Sequence, residues 1–171
     1  MLGEADREAL HAYRSRPDVC RYLPFPPMDA AEIDRRLAGA WRQRRLAQSA
    51  DAVTLGIEHR SSGRLVGDAV LFLTSRAEES GELGWVLSPQ CTGRGYATEA
   101  AAALLAIAFE RMGLHRVVAR MDPANLGSAR VAERLGMRRE ALLIENERIK
   151  GAWADTLSFA ILDREYRAQQ H

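Results

Sequence analysis

The sequence predicts an α/β fold (α+β in some schemes), with a mixed, mostly antiparallel central sheet of about six strands flanked by about four helices. Three observations predict it. Two helical segments are followed by three strand-period segments in succession; a long apolar helical stripe then separates the third strand from a fourth; a shorter helix precedes two final strands. Strands joined by short turns pair antiparallel, whereas a strand–helix–strand run demands a parallel crossover, so both kinds of pairing must meet in one sheet. The 171 residues, 47% hydrophobic and 27% charged, suit one domain whose core needs no covalent staples. No repeat, low-complexity tract or linker interrupts residues 1–171, which are read as a single domain.

The first helix runs from Ala5 to Arg14, with Leu10 and Tyr13 on one side and Pro17 as its end. Tyr22-Leu23-Pro24-Phe25-Pro26-Pro27 is neither helix nor central strand, because its prolines lack N–H donors; it is a stiff, partly apolar loop. Asp29 with Glu32 has capping-box spacing, and Ile33, Leu37, Ala40 and Trp41 then recur at helical intervals. The arginines at 35, 36, 42, 44 and 45 are the solvated face of this helix, diluted by Asp29, Glu32 and Asp34. Val53, Leu55 and Ile57 alternate with polar or small residues, Ser61-Ser62-Gly63 turns, and Leu65 to Leu73 returns as the second arm of a hairpin. The third strand, Glu82 to Leu87, carries Gly84, which marks a bulge or a close backbone approach.

From Ala97 to Met112 the residues Ala97, Ala101, Leu104, Leu105, Ala108 and Met112 form one apolar stripe, and Gly113 stops the helix. A buried strand, Arg116 to Met121, follows. A helix from about Ser128 to Leu135 ends at Gly136, and the last strands are read at Arg138 to Ile144 and Thr156 to Leu162, with a loop around Glu145 to Asp155 between them.

Composition excludes several functions. With 24 basic and 23 acidic side chains the formal net charge is +1, which argues against a nucleic-acid binder. Cys20 and Cys91 have no metal-ligand spacing, so no metal is expected and a reducing compartment is. No apolar run reaches membrane-spanning length, and Glu4, Asp6 and Glu8 make the N-terminus unlike a signal peptide, so a cytoplasmic protein without membrane partners is expected. Lys150 is the only lysine; a GC-rich coding sequence accounts for the arginine bias, a need for bidentate anion contacts being the other reading.

The chemistry lies in Leu83-Gly84-Trp85-Val86-Leu87-Ser88-Pro89-Gln90-Cys91-Thr92-Gly93-Arg94-Gly95-Tyr96-Ala97-Thr98-Glu99-Ala100. A glycine-containing loop that rises off a strand and ends at a helix N-terminus aims consecutive N–H groups, backed by the helix dipole, at an anion. Gly93 and Gly95 clear the approach, Arg94 can add a fork of donors, and the Thr98 hydroxyl lies in the first helical turn. It is not a Walker loop, since no Gly-Lys-Ser/Thr follows, and it lacks the third glycine of the dinucleotide fingerprint, which disfavours a nucleotide-binding α/β protein.

The form Gln-x-x-Gly-x-Gly, after a strand of the Gly-Trp-Val-Leu type, resembles the acyl-CoA pyrophosphate loop of the GNAT N-acetyltransferase superfamily. Asp122-Pro123-Ala124-Asn125-Leu126-Gly127-Ser128 through Glu133-Arg134-Leu135-Gly136-Met137 resembles that superfamily's Asn-x-x-Ser helix and Leu-Gly-Phe element, with Met137 in the aromatic's place. Pro17-Asp18-Val19 and Tyr22-Leu23-Pro24 resemble the Rim-type branch, whose members acetylate ribosomal-protein N-termini. Members of that branch begin with a strand ending in an Arg-Pro-Leu-like element, whereas Met1-Leu2-Gly3-Glu4 here runs almost directly into the first helix. Either the start codon is placed too late, or the hairpin edge from Val53 is exposed.

The resemblance implies direct transfer of an acetyl group from acetyl-CoA to a primary amine, with a splayed strand pair that receives the pantetheine arm. It places the bulge at Gly84 and the other wall at Arg116 to Met121, with backbone contacts from Val86 and Leu87 and an oxyanion donor from the Val86 N–H. The cofactor site it implies comprises Val86, Leu87, Gln90, Gly93, Arg94, Gly95, Tyr96, Ala97, Thr98, Asn125 and Ser128. Glu82 is the first candidate base for the incoming ammonium, or else a carboxylate in a salt bridge; Asp122, Glu145 and Glu147 are weaker candidates. Ser128 is the candidate proton donor to the leaving thiolate, or else a helix cap. Asn125 is assigned to a pantetheine amide. Trp85 and Tyr22 are candidate acceptor contacts; Trp41 and Trp153 are read as core or pocket walls. Cys91 lacks a histidine to activate it, and direct transfer needs no acyl-enzyme. The acceptor stays open among protein N-termini, amino acids, polyamines and antibiotic amines, and a homodimer would cover the exposed edge. The alternative is a non-catalytic acyl-CoA-binding regulatory module.

Overall fold

A computed structural model describes residues 1–170. A short 3₁₀ turn leads into α1 (Arg7–Arg14); α2 (Pro17–Cys20) and α3 (Ala30–Ala38) follow, then β1 (Ala52–Glu58), β2 (Leu65–Ser75), β3 (Ser80–Leu87), α4 (Tyr96–Ala106), β4 (Arg116–Met121), α5 (Leu126–Arg134), β5 (Arg138–Ile149), β6 (Ala152–Leu162) and α6 (Asp163–Ala168). The six strands form one sheet in the order β1-β2-β3-β4-β6-β5. Every neighbouring pair is antiparallel except β3–β4, which is parallel because α4 carries the chain back across the sheet. The mixed sheet read from the sequence is the sheet observed. Among the described residues, no helix is long and apolar enough to cross a membrane.

Two apolar layers sandwich the sheet. On one face Leu71, Leu73, Leu83, Val117 and Ile161 pack against Leu104, Leu105 and Phe109 of the α4 segment and Tyr166 of α6. On the other, Leu10, Tyr13, Ile33, Leu37 and Trp41 pack with Val86 and with Leu2. Strand alternation produces this division: Leu83 points to the α4 layer and Val86, three residues on, to the α1–α3 layer.

Several expectations are corrected. Pro17 opens α2 rather than merely ending α1, since proline suits a first helical turn whose N–H would lack an acceptor. The stretch 145–155 is not a loop: β5 and β6 extend into a long hairpin that turns at Lys150 and Gly151, with φ of 52° and 87°. Its register slips between Leu143 and Glu147, where Glu145 takes a φ of 47°, and this break hid the strand period. The α4 helix begins at Tyr96 and widens into a π-helical turn over Ile107–Arg111. Asn125 caps α5 by accepting from the Ser128 N–H at 3.1 Å, so the helix starts before Ser128. The terminal α6 went unread; its signature is Glu165, whose Oε2 accepts from the Leu162 N–H at 2.8 Å. The strand β1 is one sheet edge, with Leu2 packed at Gly56.

Candidate active site

Parallel pairing between β3 and β4 covers three registers only, ending at Glu82↔Val118. Both strands continue, β3 bound to β2 as far as Leu87 and β4 bound to β6 as far as Met121. Each is held from outside, so a slot opens between them. Gly84 makes no bulge: the β2–β3 register runs unbroken from Gly67↔Leu87 to Leu73↔Gly81, and a β-carbon at Gly84 would stand 3.1 Å from the Val70 Cγ1. Gly84 is a close-approach glycine, and the separation of the strands lies on the β4 side.

Backbone alternation decides which amides face the slot. The Ser88 N–H donates to Val66 O of β2 at 2.8 Å, whereas Glu79 O accepts from the Arg116 N–H of β4 at 3.2 Å. Since a strand residue directs its N–H and C=O to the same side, even-numbered positions of β3 face β2 and odd-numbered ones face β4. The Val86 amide is therefore turned toward β2, which corrects its assignment as oxyanion donor; Trp85 and Leu87 present theirs to the slot.

A groove of about 500 Å³ runs from the slot to the start of α4, lined by Trp85, Val86, Leu87, Gly93, Gly95, Ala97, Thr98, Asn125 and Ser128, and on the far side by Asp18, Val19, Tyr22 and Leu23. Gly95, at φ 86°, precedes α4, and no side chain caps that helix, so its first amides have no acceptor within it. The Thr98 Oγ1 is buried without a hydrogen-bond partner. An uncapped helix start and an orphaned hydroxyl in one groove fit a ligand rich in anionic oxygens, as the diphosphate of acetyl-CoA is.

Beyond the slot lie two further cavities. One, of about 170 Å³, is lined by Arg14, Phe25, Asp68, Glu82, Gly84, Trp85, Arg120 and Ser128 among others. The next, of about 540 Å³, is lined by Tyr22, Pro24, Glu82, Arg120, Asp122, Glu147, Ile149 and Asp155 among others. Tyr22 borders all three spaces, and among the described residues no histidine lines them. Glu82 is ion-paired: Arg120 Nε and Nη2 lie 3.0 and 2.9 Å from its Oε2, and Arg120 Nη1 lies 3.0 Å from the Glu147 Oε1. The hydrogen bond to Glu82 holds the Arg120 guanidinium still more firmly protonated.

The structure thus brings together Glu82, Ser128, Trp85, Tyr22 and most of the cofactor set. Gln90 and Arg94 are exposed outside the groove lining, and the Tyr96 ring turns away, edge-on to His59 at 5.9 Å on the β1 side. Of the weaker candidate bases, Asp122 is occupied in a turn, accepting from the Ala124 N–H at 2.8 Å, and the Glu145 amide donates to Asp155 at 2.8 Å. Trp41 is core, but Trp153 is 61% exposed and borders none of these three spaces. Sequence reasoning missed the buried Arg14–Asp68 pair. The Tyr13 hydroxyl donates to the Asp68 Oδ2 at 2.5 Å, Arg14 pairs with both Asp68 oxygens, and the guanidinium lies 5.2 Å from the Phe25 ring centroid. Burial, then the Asp68 charge, pushes the Tyr13 phenol up; burial works against the Arg14 charge, but Asp68 and Tyr13 outweigh it. Only Asp68 on an otherwise apolar strand hinted at this.

A split parallel strand pair that meets an uncapped helix start across a glycine loop is the architecture of an acyl-CoA-dependent transferase. Residues 1–138 match the acetyltransferase (GNAT) domain model. The chain is 32% identical over 164 residues to the uncharacterized N-acetyltransferase YnaD of Bacillus subtilis, covering 94% of this chain and 90% of that protein. It is 27% identical to the putative ribosomal N-acetyltransferase YdaF of the same organism, over 98% and 90% of the two chains. The crystal structure of a GNAT-family acetyltransferase from Bacillus anthracis superposes with a TM-score of 0.79 at 30% identity, over 94% and 90% of the chains. This chain belongs to the GNAT acetyltransferase family and is an acetyl-CoA-dependent N-acetyltransferase.

Proposed function

We propose that this single-domain protein acetylates a primary amine that enters through the cavities lined by Glu82 and Tyr22, on the side of the slot opposite the glycine loop. The observation that carries this is the slot itself: it joins the groove beneath α4 to those cavities, so a thioester laid along it is approached from the far side. The acceptor is a protein N-terminus or a small-molecule amine. The Rim-type branch is supported by the likeness to a putative ribosomal N-acetyltransferase and by Asp18, Val19, Tyr22 and Leu23, which carry that resemblance and line the groove. Four carboxylates, Glu82, Asp122, Glu147 and Asp155, border the larger cavity against one guanidinium, a lining that favours a cationic amine. A cytoplasmic homodimer is part of this reading.

Bound acetyl-CoA supplies the acyl group as an activated thioester. The first amides of α4 and the Thr98 hydroxyl hold its diphosphate, and Asn125, whose Oδ1 is committed to the helix cap, has its amide N–H groups left for the pantetheine arm. The amide of Trp85 or Leu87 faces the slot and steadies charge developing on the acyl oxygen. Glu82 takes the proton from the amine nitrogen as it bonds to the acyl carbon, and Ser128, half-buried between groove and inner cavity, gives a proton to the departing sulfur.

CoA release from acetyl-CoA, followed across a panel of amines, tests this. Glu82→Gln is expected to lower kcat by roughly 10²- to 10⁴-fold with the KM for acetyl-CoA unchanged. A wild-type chain that binds acetyl-CoA but releases no CoA with any amine would overturn the proposal, and an undiminished Glu82→Gln variant would remove Glu82 from it.

A further inference from the structure

The β5–β6 hairpin reaches across the larger cavity to the segment between α1 and α3. At its turn, the Lys150 Nζ donates to the carbonyl oxygen of Cys20 at 2.5 Å and lies 3.3 Å from that of Arg21. Cys20 ends α2, and its carbonyl also accepts from the Leu23 N–H at 3.1 Å. Among the described residues no other hydrogen bond and no ion pair joins residues 1–50 to the hairpin. The two parts form facing walls of one space: Tyr22 and Pro24 on one side, Glu147, Ile149 and Asp155 on the other.

Little else holds the outer hairpin in place. Leu142, Leu143, Ile144 and Trp153 are 44%, 44%, 64% and 61% exposed, so they pack weakly against the body. The register break between Leu143 and Glu147 leaves the strands less tightly laddered where the hairpin leaves the sheet. The Arg120–Glu147 pair anchors one point along β5, short of the turn. A compact ammonium on a flexible stem suits the remaining contact, since it points several donors at two neighbouring carbonyls.

We propose that Lys150, the only lysine of the chain, is a specificity-determining residue: it latches the hairpin to Cys20 and Arg21, and the latch sets the width of the acceptor cavity. This rests on the reading that the cavity receives the acceptor. With the latch made, the space suits a short amine; without it, the walls part and longer acceptors gain access while short ones lose their fit. The latch stands apart from the glycine loop and the start of α4, so the contacts that hold the diphosphate do not depend on it, although Val19 and Tyr22 beside it also border the groove.

The test compares wild type with Lys150→Met and Lys150→Arg, using ethanolamine and a tetrapeptide with a free α-amine as acceptors. In Lys150→Met the ratio of kcat/KM for the tetrapeptide to that for ethanolamine is expected to rise by about tenfold, the worth of one hydrogen bond to a charged group. The change falls mainly in acceptor KM, and Lys150→Arg, which still donates to carbonyls, keeps the wild-type ratio. Hydrogen exchange reads the latch without turnover: the Leu23 amide and the hairpin amides exchange faster in Lys150→Met. Unchanged exchange overturns the latch. Faster exchange with an unchanged acceptor ratio overturns its role in selectivity. Absence of turnover with every amine overturns the functional reading and the selectivity with it, while exchange still reports whether the latch exists.

Discussion

Thr98 shows how a single residue separates binding from stability. Its Oγ1 is buried in the first turn of α4 with no partner, beside amides that likewise lack acceptors. A buried hydroxyl without a hydrogen bond costs the folded state free energy that a ligand oxygen returns. Thr98→Val is therefore expected to stabilise the ligand-free chain by about 1 kcal/mol and to weaken acetyl-CoA binding. Denaturant unfolding and titration calorimetry read the two effects; a variant that binds acetyl-CoA as tightly as wild type would show that the hydroxyl is no ligand contact. The sequence placed Thr98 in this turn, but its burial and lack of partner come from the packing of α4 on the sheet.

At the scale of elements, the pair formed by Arg14 of α1 and Asp68 of β2 ties the first helix to the sheet, with side-chain exposures of 6% and 1%. The Arg14 guanidinium also lies near the rings of Phe25 and Trp41, so one charge gathers α1, β2, the proline-rich loop and the turn after α3. Removing one partner leaves the other charged, buried and unpaired. Asp68→Ala is expected to cost about 3–5 kcal/mol, whereas Arg14→Met with Asp68→Leu costs far less, because no lone charge remains. Urea unfolding of both variants decides this, and a mild Asp68→Ala would mean that water reaches Arg14. The pair could not be read from the sequence: Arg14 lies in a helix among many arginines, and Asp68, though conspicuous on an apolar strand, gives no sign of its partner 54 positions away. The long hairpin was hidden for a related reason, since the register break at Leu143 to Glu147 and the exposure of β5 erase the period-2 pattern on which strand reading depends.

For the whole molecule, one domain with one cofactor groove predicts a single cooperative unfolding transition that acetyl-CoA shifts as a unit. At about 100 times its Kd the ligand adds roughly 2.7 kcal/mol of apparent stability. Thermal unfolding followed by fluorescence and by circular dichroism checks both parts: two separated transitions would contradict a single domain, and no shift would contradict the groove. The sequence by itself determined the order of the six strands and of the larger helices, the mixed sheet, the glycine loop and the family resemblance, because each depends on periodicity or on residues adjacent in the chain; the short α2 and α6 and the outer part of the last hairpin it did not. Only the tertiary structure decided that the slot opens at Glu82↔Val118 rather than at a bulge in β3, and that Trp85 and Leu87, not Val86, turn their amides into it. It alone joined Glu82 to Arg120 and Lys150 to Cys20. These are contacts between segments far apart in sequence, and where two such segments meet is set by the packing of the sheet between its helical layers, which no local pattern of residues encodes.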